Sequence, residues 1–484
     1  MFHRIKTSLL LTCAALAMAR PATAETLREA LWKAYQSNPT LTGARAGQRA
    51  NDENVPIARS NGLPDVSATG TYNENIYDST ISLARPSRLF NGGARVTVPL
   101  YLGGAVRNAV KGAKARVEAG QANLRGTEAD LFSAVVSAYM DVIRDESIVS
   151  LNQTQVRVLR VNLEATRDRF EVGDLTRTDV AQSEARLSLA QAQLQQVEAQ
   201  LVSSKENYIQ LVGSEPSALE TPPVLPNLPA SVDAAVAVAL KSNPDLLAAS
   251  KAREAARYDV GSAKAARMPR ISAFGDTTYT NFLNSLPNTF PGTAKSTTAG
   301  IQTTIPIFQG GGPSAQVRQA QARQSQAIEQ EIGTERFVIA STRSAYAQWQ
   351  AANQVIRSSR VAVDANTLAL EGVRAENSIG NRTIIEVLNA EQELVEARAQ
   401  LVTARRNAYV AGFSLLALMG RAEARDLNLD EGVVIYDPAV NFERVHDRIF
   451  DWDRDPKAEA KSTRTVDIPA PDATIGPQLL PGEK

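Results

Sequence analysis

Two long stretches of the chain lack proline, between Pro99 and Pro216 and between Pro313 and Pro438, and both carry apolar side chains at a fixed period of seven. In the first, Val135, Val142, Val149, Val156 and Leu163 recur every seven residues, and after Gly173 so do Val180, Leu187, Leu194, Leu201 and Tyr208. In the second the seams are Trp349, Ile356, Val363 and Leu370, then Val387, Leu394 and Leu401, with Ala408 before Leu415. A repeat of seven falls slightly short of two ideal helical turns, so it winds helices into a left-handed supercoil. Each stretch therefore reads as a helical hairpin. The companion seam positions are weak, Asp145 and Asn152 among them, and Ala, Ser and Gln fill the spaces. Such a pattern suits helices packed closely on more than one side rather than a two-stranded zipper.

A helix over about 104–171 spans roughly 100 Å. The returning arm, about 178–212, is half as long, and the helices that open each half (about 26–62 and 232–267) resemble that arm in size. Two short helices stacked end to end match one long one, which predicts a rod of four helical columns. Four strands are predicted between the opening and long helices, at about Asp65–Asn75, Arg88–Tyr101, Arg270–Phe282 and Thr297–Phe308. Ala299, Ile301, Ile305 and Ile307 alternate with Thr298, Gly300, Gln302 and Thr304, the period of a sheet with one apolar face. Each segment is near the ~9–11 residues of a tilted membrane strand. Four strands cannot close a barrel, and open edges are intolerable in lipid, so a membrane barrel must be shared by several chains.

The pattern is duplicated. Ser37-Asn38-Pro39 returns as Ser242-Asn243-Pro244, Leu63-Pro64 as Met268-Pro269, and Val98 to Gly104 as Ile305 to Gly311. Gly173, Asp179, Glu184 and Gly213 match Gly380, Glu386, Glu391 and Gly420 at a constant offset of 207. The expected organisation is two equivalent halves, 25–213 and 232–420, joined by a linker over 214–231 that holds Pro216, Pro222, Pro223, Pro226 and Pro229. A C-terminal extension over 421–454 and a Pro-rich, polar, disordered tail over 455–484 complete it. Pro99 and Pro306 cannot donate to a ladder and are expected to end strands, and Gly103-Gly104 and Gly310-Gly311 permit the sharp turn into a helix.

The first residues are an address. Arg4 and Lys6, the apolar run Leu9 to Met18 and then Ala22-Thr23-Ala24 form a secretory signal peptide over 1–24, with cleavage expected before Glu25. Nothing later approaches the ~18 apolar residues of a spanning helix.

Composition narrows the function. Of 484 residues, Lys+Arg and Asp+Glu number 52 each, so no basic surface is offered to nucleic acid. With only His3, His446 and Cys13 available, a zinc site or Ser–His or Cys–His catalysis is excluded in practice. No Lys follows Gly310-Gly311-Gly312 with phosphate-loop spacing. The reading is of a protein that is not an enzyme and takes no cofactor or metal.

The duplicated layout, the Val-Pro-Leu-Tyr-x-Gly-Gly and Ile-Pro-Ile-Phe-x-Gly-Gly junctions, and the hairpin tips Phe170 to Val180 and Ser378 to Leu388 together resemble the TolC family of outer-membrane efflux proteins over about residues 25–421. The resemblance implies a mainly α fold with a membrane β part: a homotrimer whose 12-stranded β-barrel is continued by an α-helical barrel across the periplasm of a Gram-negative bacterium. It implies a passive exit duct for small-molecule efflux or type I protein secretion. The implied partners are outer-membrane lipid, a periplasmic adaptor, and an inner-membrane efflux pump or ABC transporter, which selects the cargo. It also implies a gate at the tips, with Arg382 as the linking arginine and Asp179 as its acidic partner. The family's two acidic positions on the following helix are Glu386 and Asn389, so one expected carboxylate is missing, and a usual tyrosine is Asn377. Val172, Gly173, Leu175, Ser378, Ile379 and Gly380 form the turns that the family presents to adaptors. The other reading of the same pattern is a structural rod or surface protein without a conducting lumen.

Overall fold

The computed structural model describes residues 24–76, 88–283, 292–429 and 435–475. The signal peptide expected over 1–24 lies outside the described residues except for Ala24, as do the last nine residues of the tail. The chain runs α1 (Leu27–Ser37), α2 (Pro39–Asp52), α3 (Asn54–Ser60), β1 (Asp65–Glu74), β2 (Arg88–Tyr101), α4 (Ala105–Glu171) and α5 (Arg177–Val212). The second half repeats the order as α6 (Val232–Ser242), α7 (Pro244–Lys264), β3 (Arg270–Leu283), β4 (Thr293–Thr304), α8 (Gly312–Ser378) and α9 (Ile384–Leu418), and α10 (Pro438–Val445) follows.

The long helices α4 and α8 each hold 67 residues. The α4 seam Val135, Val142, Val149, Val156 and Leu163 is buried throughout. Asp145, at a weak seam position, is buried too; it is held by Arg144 at 2.7 Å and accepts from Ser204 of α5 at 2.6 Å. A charge there survives because its oxygens are satisfied.

The opening helices are broken, which corrects the expectation of single helices over 26–62 and 232–267. Both halves break at the Asn-Pro step, Asn38-Pro39 and Asn243-Pro244, and the first half breaks again at Glu53, between α2 and α3. Each Asn accepts from the first-turn amides of the helix it caps, and each Pro takes the first helical position, where its missing N–H costs nothing. Each Asn also donates from Nδ2 to the end of its own half's returning arm: Asn38 to the Leu211 carbonyl and Asn243 to the Leu418 carbonyl, both at 2.9 Å. The column beside each long helix is thus jointed at a capped Asn, with a further joint at Glu53 in the first half.

The sheet order is β1-β2-β3-β4, antiparallel throughout, with β2 beside β3 joining the two halves. Arg95 of β2 pairs with Asp276 of β3 at 2.9 Å. The outer edges of β1 and β4 have no neighbouring strand among the described residues. β4 begins and ends about four residues before the predicted span. Neither proline ends its strand as expected. β2 runs on to Tyr101 through a register shift after Pro99, and β4 stops two residues short of Pro306. The glycine pairs do turn the chain: Gly103, Gly104, Gly310 and Gly311 all have positive φ, and a Cβ on Gly103 would collide with the Met268 side chain.

The main core lies where α1, α4 and the C-terminal ends of α5 and α9 meet the linker. Tyr139 donates to the carbonyls of Glu25 and Glu220, pinning the linker to α4. The tail expected to be disordered from 455 onward is seated over 455–475: Lys205 donates to the carbonyls of Asp472 and Thr474, Ser462 shares a hydrogen bond with Thr42, and Ile475 packs on the main core. Its polar composition hides contacts made through backbone carbonyls.

Candidate functional site: the two hairpin tips

Both tips are built alike. Gly173 and Gly380 end the long helices with φ of 83° and 81°, the left-handed conformation open to glycine. The next amides close each turn, Asp174 N–H onto Arg169 O at 2.8 Å and Asn381 N–H onto Glu376 O at 2.9 Å. Thr176 and Thr383 then cap α5 and α9, and the acids three residues on, Asp179 and Glu386, reach back to the cap amides at 2.9 and 2.8 Å. These hydrogen bonds favour the ionised acids. The Thr176 hydroxyl and amide hold Asp179 below the usual carboxylate range, and the Thr383 amide, with Arg382, brings Glu386 down to about 2.

Arg382 lies inside the second tip. It donates from Nε to Glu376 and from Nη1 to Glu386, both at 2.6 Å. Asn377, in the place of the expected tyrosine, donates to the Arg382 carbonyl at 2.7 Å. Within one chain Asp179 and Arg382 do not meet; each is engaged in its own tip. Asn389 accepts from Arg186 of α5 at 2.7 Å, and the same guanidinium reaches Gln392 at 3.2 Å, so α5 and α9 are linked sideways near the tips. Val172, Gly173, Ser378, Ile379 and Gly380 are exposed and Leu175 is half-buried.

A second cluster, which the sequence reading missed, sits behind the tips. Glu391 is only 3% exposed and accepts from Arg374 of α8 at 2.9 Å and from Asn162 of α4 at 3.2 Å on each oxygen. It ties the second hairpin to the first. Arg167 and Glu184 form the matching pair of the first hairpin, open to solvent and 3.5 Å apart. The offset of 207 already matched Glu184 to Glu391, and it also matches Arg167 to Arg374. That second match was the available signal.

No group of His, Cys, Asp or Glu among the described residues could hold a metal ion. No helix among them is long and apolar enough to cross a membrane.

The family model described as "Outer membrane efflux protein" matches residues 30–214 and 235–421. The chain is 36% identical over 430 residues to the outer membrane efflux protein BepC of Brucella suis, covering 89% of this chain and 92% of that protein. It is 26% identical over 409 residues to the outer membrane protein TolC of Vibrio cholerae, covering 84% and 92%. Among solved structures, the outer membrane protein VceC of Vibrio cholerae superposes with a TM-score of 0.70 at 22% identity, covering 81% of this chain and 96% of that one.

Proposed function

Because this chain belongs to the outer membrane efflux protein family, we propose that three copies share one 12-stranded barrel and continue it as a helical tunnel, closed at the hairpin tips. The observation that carries this reading is the sheet: four strands whose outer edges have no partner strand among the described residues, with β2 and β4 leading through short junctions into helices of 67 residues. Edges in lipid must be paired, and copies of the same sheet supply the partners. The protein is an outer-membrane channel, and in this reading a passive one, without catalysis or cofactor. An adaptor docks on the exposed turns at Val172–Gly173 and Ser378–Gly380, and an inner-membrane pump or ABC transporter supplies energy and selects small molecules or a secreted protein.

The closed state is held by Arg382 and Asp179 of neighbouring protomers, with Glu386 and Asn389 beside them at the narrowest point. Arg382 is half exposed at the tip, which supports its being reached by a neighbouring protomer, and bridging would require it to share or release its contacts with Glu376 and Glu386. One exposed ion pair contributes only ~0–1 kcal/mol, and threefold symmetry multiplies it. Three Glu386 carboxylates form an acidic ring that favours cations.

The test is single-channel conductance in planar bilayers, wild type beside Arg382→Ser. Small, cation-preferring currents that enlarge in the variant are expected. Large currents in both would keep the duct and remove the gate. No current in either, from folded trimeric protein, would favour the structural rod.

A further inference from the structure

The C-terminal extension carries a turn that the channel reading does not use. Helix α10 is docked firmly. Asn441 donates to the fully buried Asp52 of α2 at 2.7 Å, and Phe442 packs against the small core of Val55, Ala113 and Val117. Beyond α10 the chain reverses. Arg444 holds Asp455 through two hydrogen bonds at 2.7 and 3.0 Å, and Arg448 lies 3.9 Å from Asp453 and 3.5 Å from Asp455. Two arginines thus tie the ends of a short loop. At its apex Ile449, Phe450 and Trp452 are 69%, 67% and 76% exposed.

The position of this loop decides what covers it. Its near end is fixed by Arg59 of α3, which pairs with Asp447 and donates to the His446 carbonyl. One helical turn further along, Gly62 packs on Val106, the second residue of α4, and β1 begins at Asp65. The loop therefore stands level with the junction where both helices of the first half pass into the sheet, the point at which the molecule enters the outer membrane. Ile57 on α3 and Val66 on β1 are exposed on either side of that level. Aromatic rings in a chain with only 5% aromatic residues are here held out from the rod by ion pairs. Trp and Phe at such a boundary place their rings among lipid headgroups and upper acyl chains.

We infer that the 449–452 loop is an interfacial anchor that inserts into the phospholipids of the periplasmic leaflet of the outer membrane, so that each protomer grips the membrane outside its barrel. The inference rests on the placement of the four strands in that membrane, and the experiment separates the two. A nitroxide is attached at Trp452→Cys and, separately, at Phe450→Cys in trimers reconstituted into phospholipid vesicles. Collision with lipid-soluble oxygen is compared with collision with a water-soluble nickel chelate. Ile301→Cys on β4 reports the barrel, and Val224→Cys in the exposed linker reports water. An oxygen-to-nickel ratio at 452 and 450 several times that at 224, and close to that at 301, is the expected result. A lipid-like ratio at 301 with a water-like ratio at 450 and 452 would overturn the anchor alone. Shielding from both reagents at 450 and 452 would mean that a neighbouring copy covers the loop, and would also overturn it. A water-like ratio at 301 would remove the barrel placement and the anchor with it.

Discussion

Among single residues, Glu391 and Arg374 differ in what each leaves behind when removed. Glu391 is buried, and with Arg374 gone it keeps only Asn162 as a donor. Arg374 is half exposed and can turn its guanidinium to water once Glu391 is gone. Leaving a buried charge short of partners is the costlier error. Arg374→Ala should therefore destabilise by about 2 kcal/mol and Glu391→Ala by about 1 kcal/mol, read as the larger fall in thermal midpoint for the arginine variant by circular dichroism. Equal falls, or the reverse order, would count against a charge-retaining node. The tip residues Asp179, Arg382 and Glu386 were singled out through the resemblance to a known family, and the structure seats each within its own hairpin tip. Arg186 and Asn162 were not legible, because their partners are supplied by other helices more than 200 residues away.

At the scale of elements, the seven-residue seams, the long helices and the glycine junctions could be read from local pattern alone. The breaks at Asn38 and Asn243 could not, although both Ser-Asn-Pro motifs stood out as repeats. Proline in the first turn does not interrupt apolar periodicity, so a broken column and a continuous helix look alike in sequence. The structure makes each Asn both a cap and a brace. Asn243→Ala removes acceptance from Asp245 and Leu246 and donation to the Leu418 carbonyl. A lost cap costs about 1–2 kcal/mol. The variant should lower the thermal midpoint and raise amide exchange at both the start of α7 and the end of α9. Exchange confined to α7 would mean that the brace carries nothing.

On the scale of the whole molecule, the two halves are joined through contacts of very different reach. Inside a hairpin, Thr166 meets Ser183 and Arg374 meets Glu391 across 17 residues. The sheet closes only when Arg88 on β2 finds Leu283 on β3, 195 residues further along the chain. Short loops close before long ones, and non-local strand pairing is the slow part of folding. Pulse-labelled hydrogen exchange should therefore find α4–α5 and α8–α9 protected before β2 and β3, and simultaneous protection would refute that order. The consequence concerns biogenesis. During the interval the strands bound for lipid wait with their edges open, the state most prone to wrong pairing with other chains. The pairing of β2 with β3 thus leaves the strand edges of the newly exported chain unshielded until both halves have arrived.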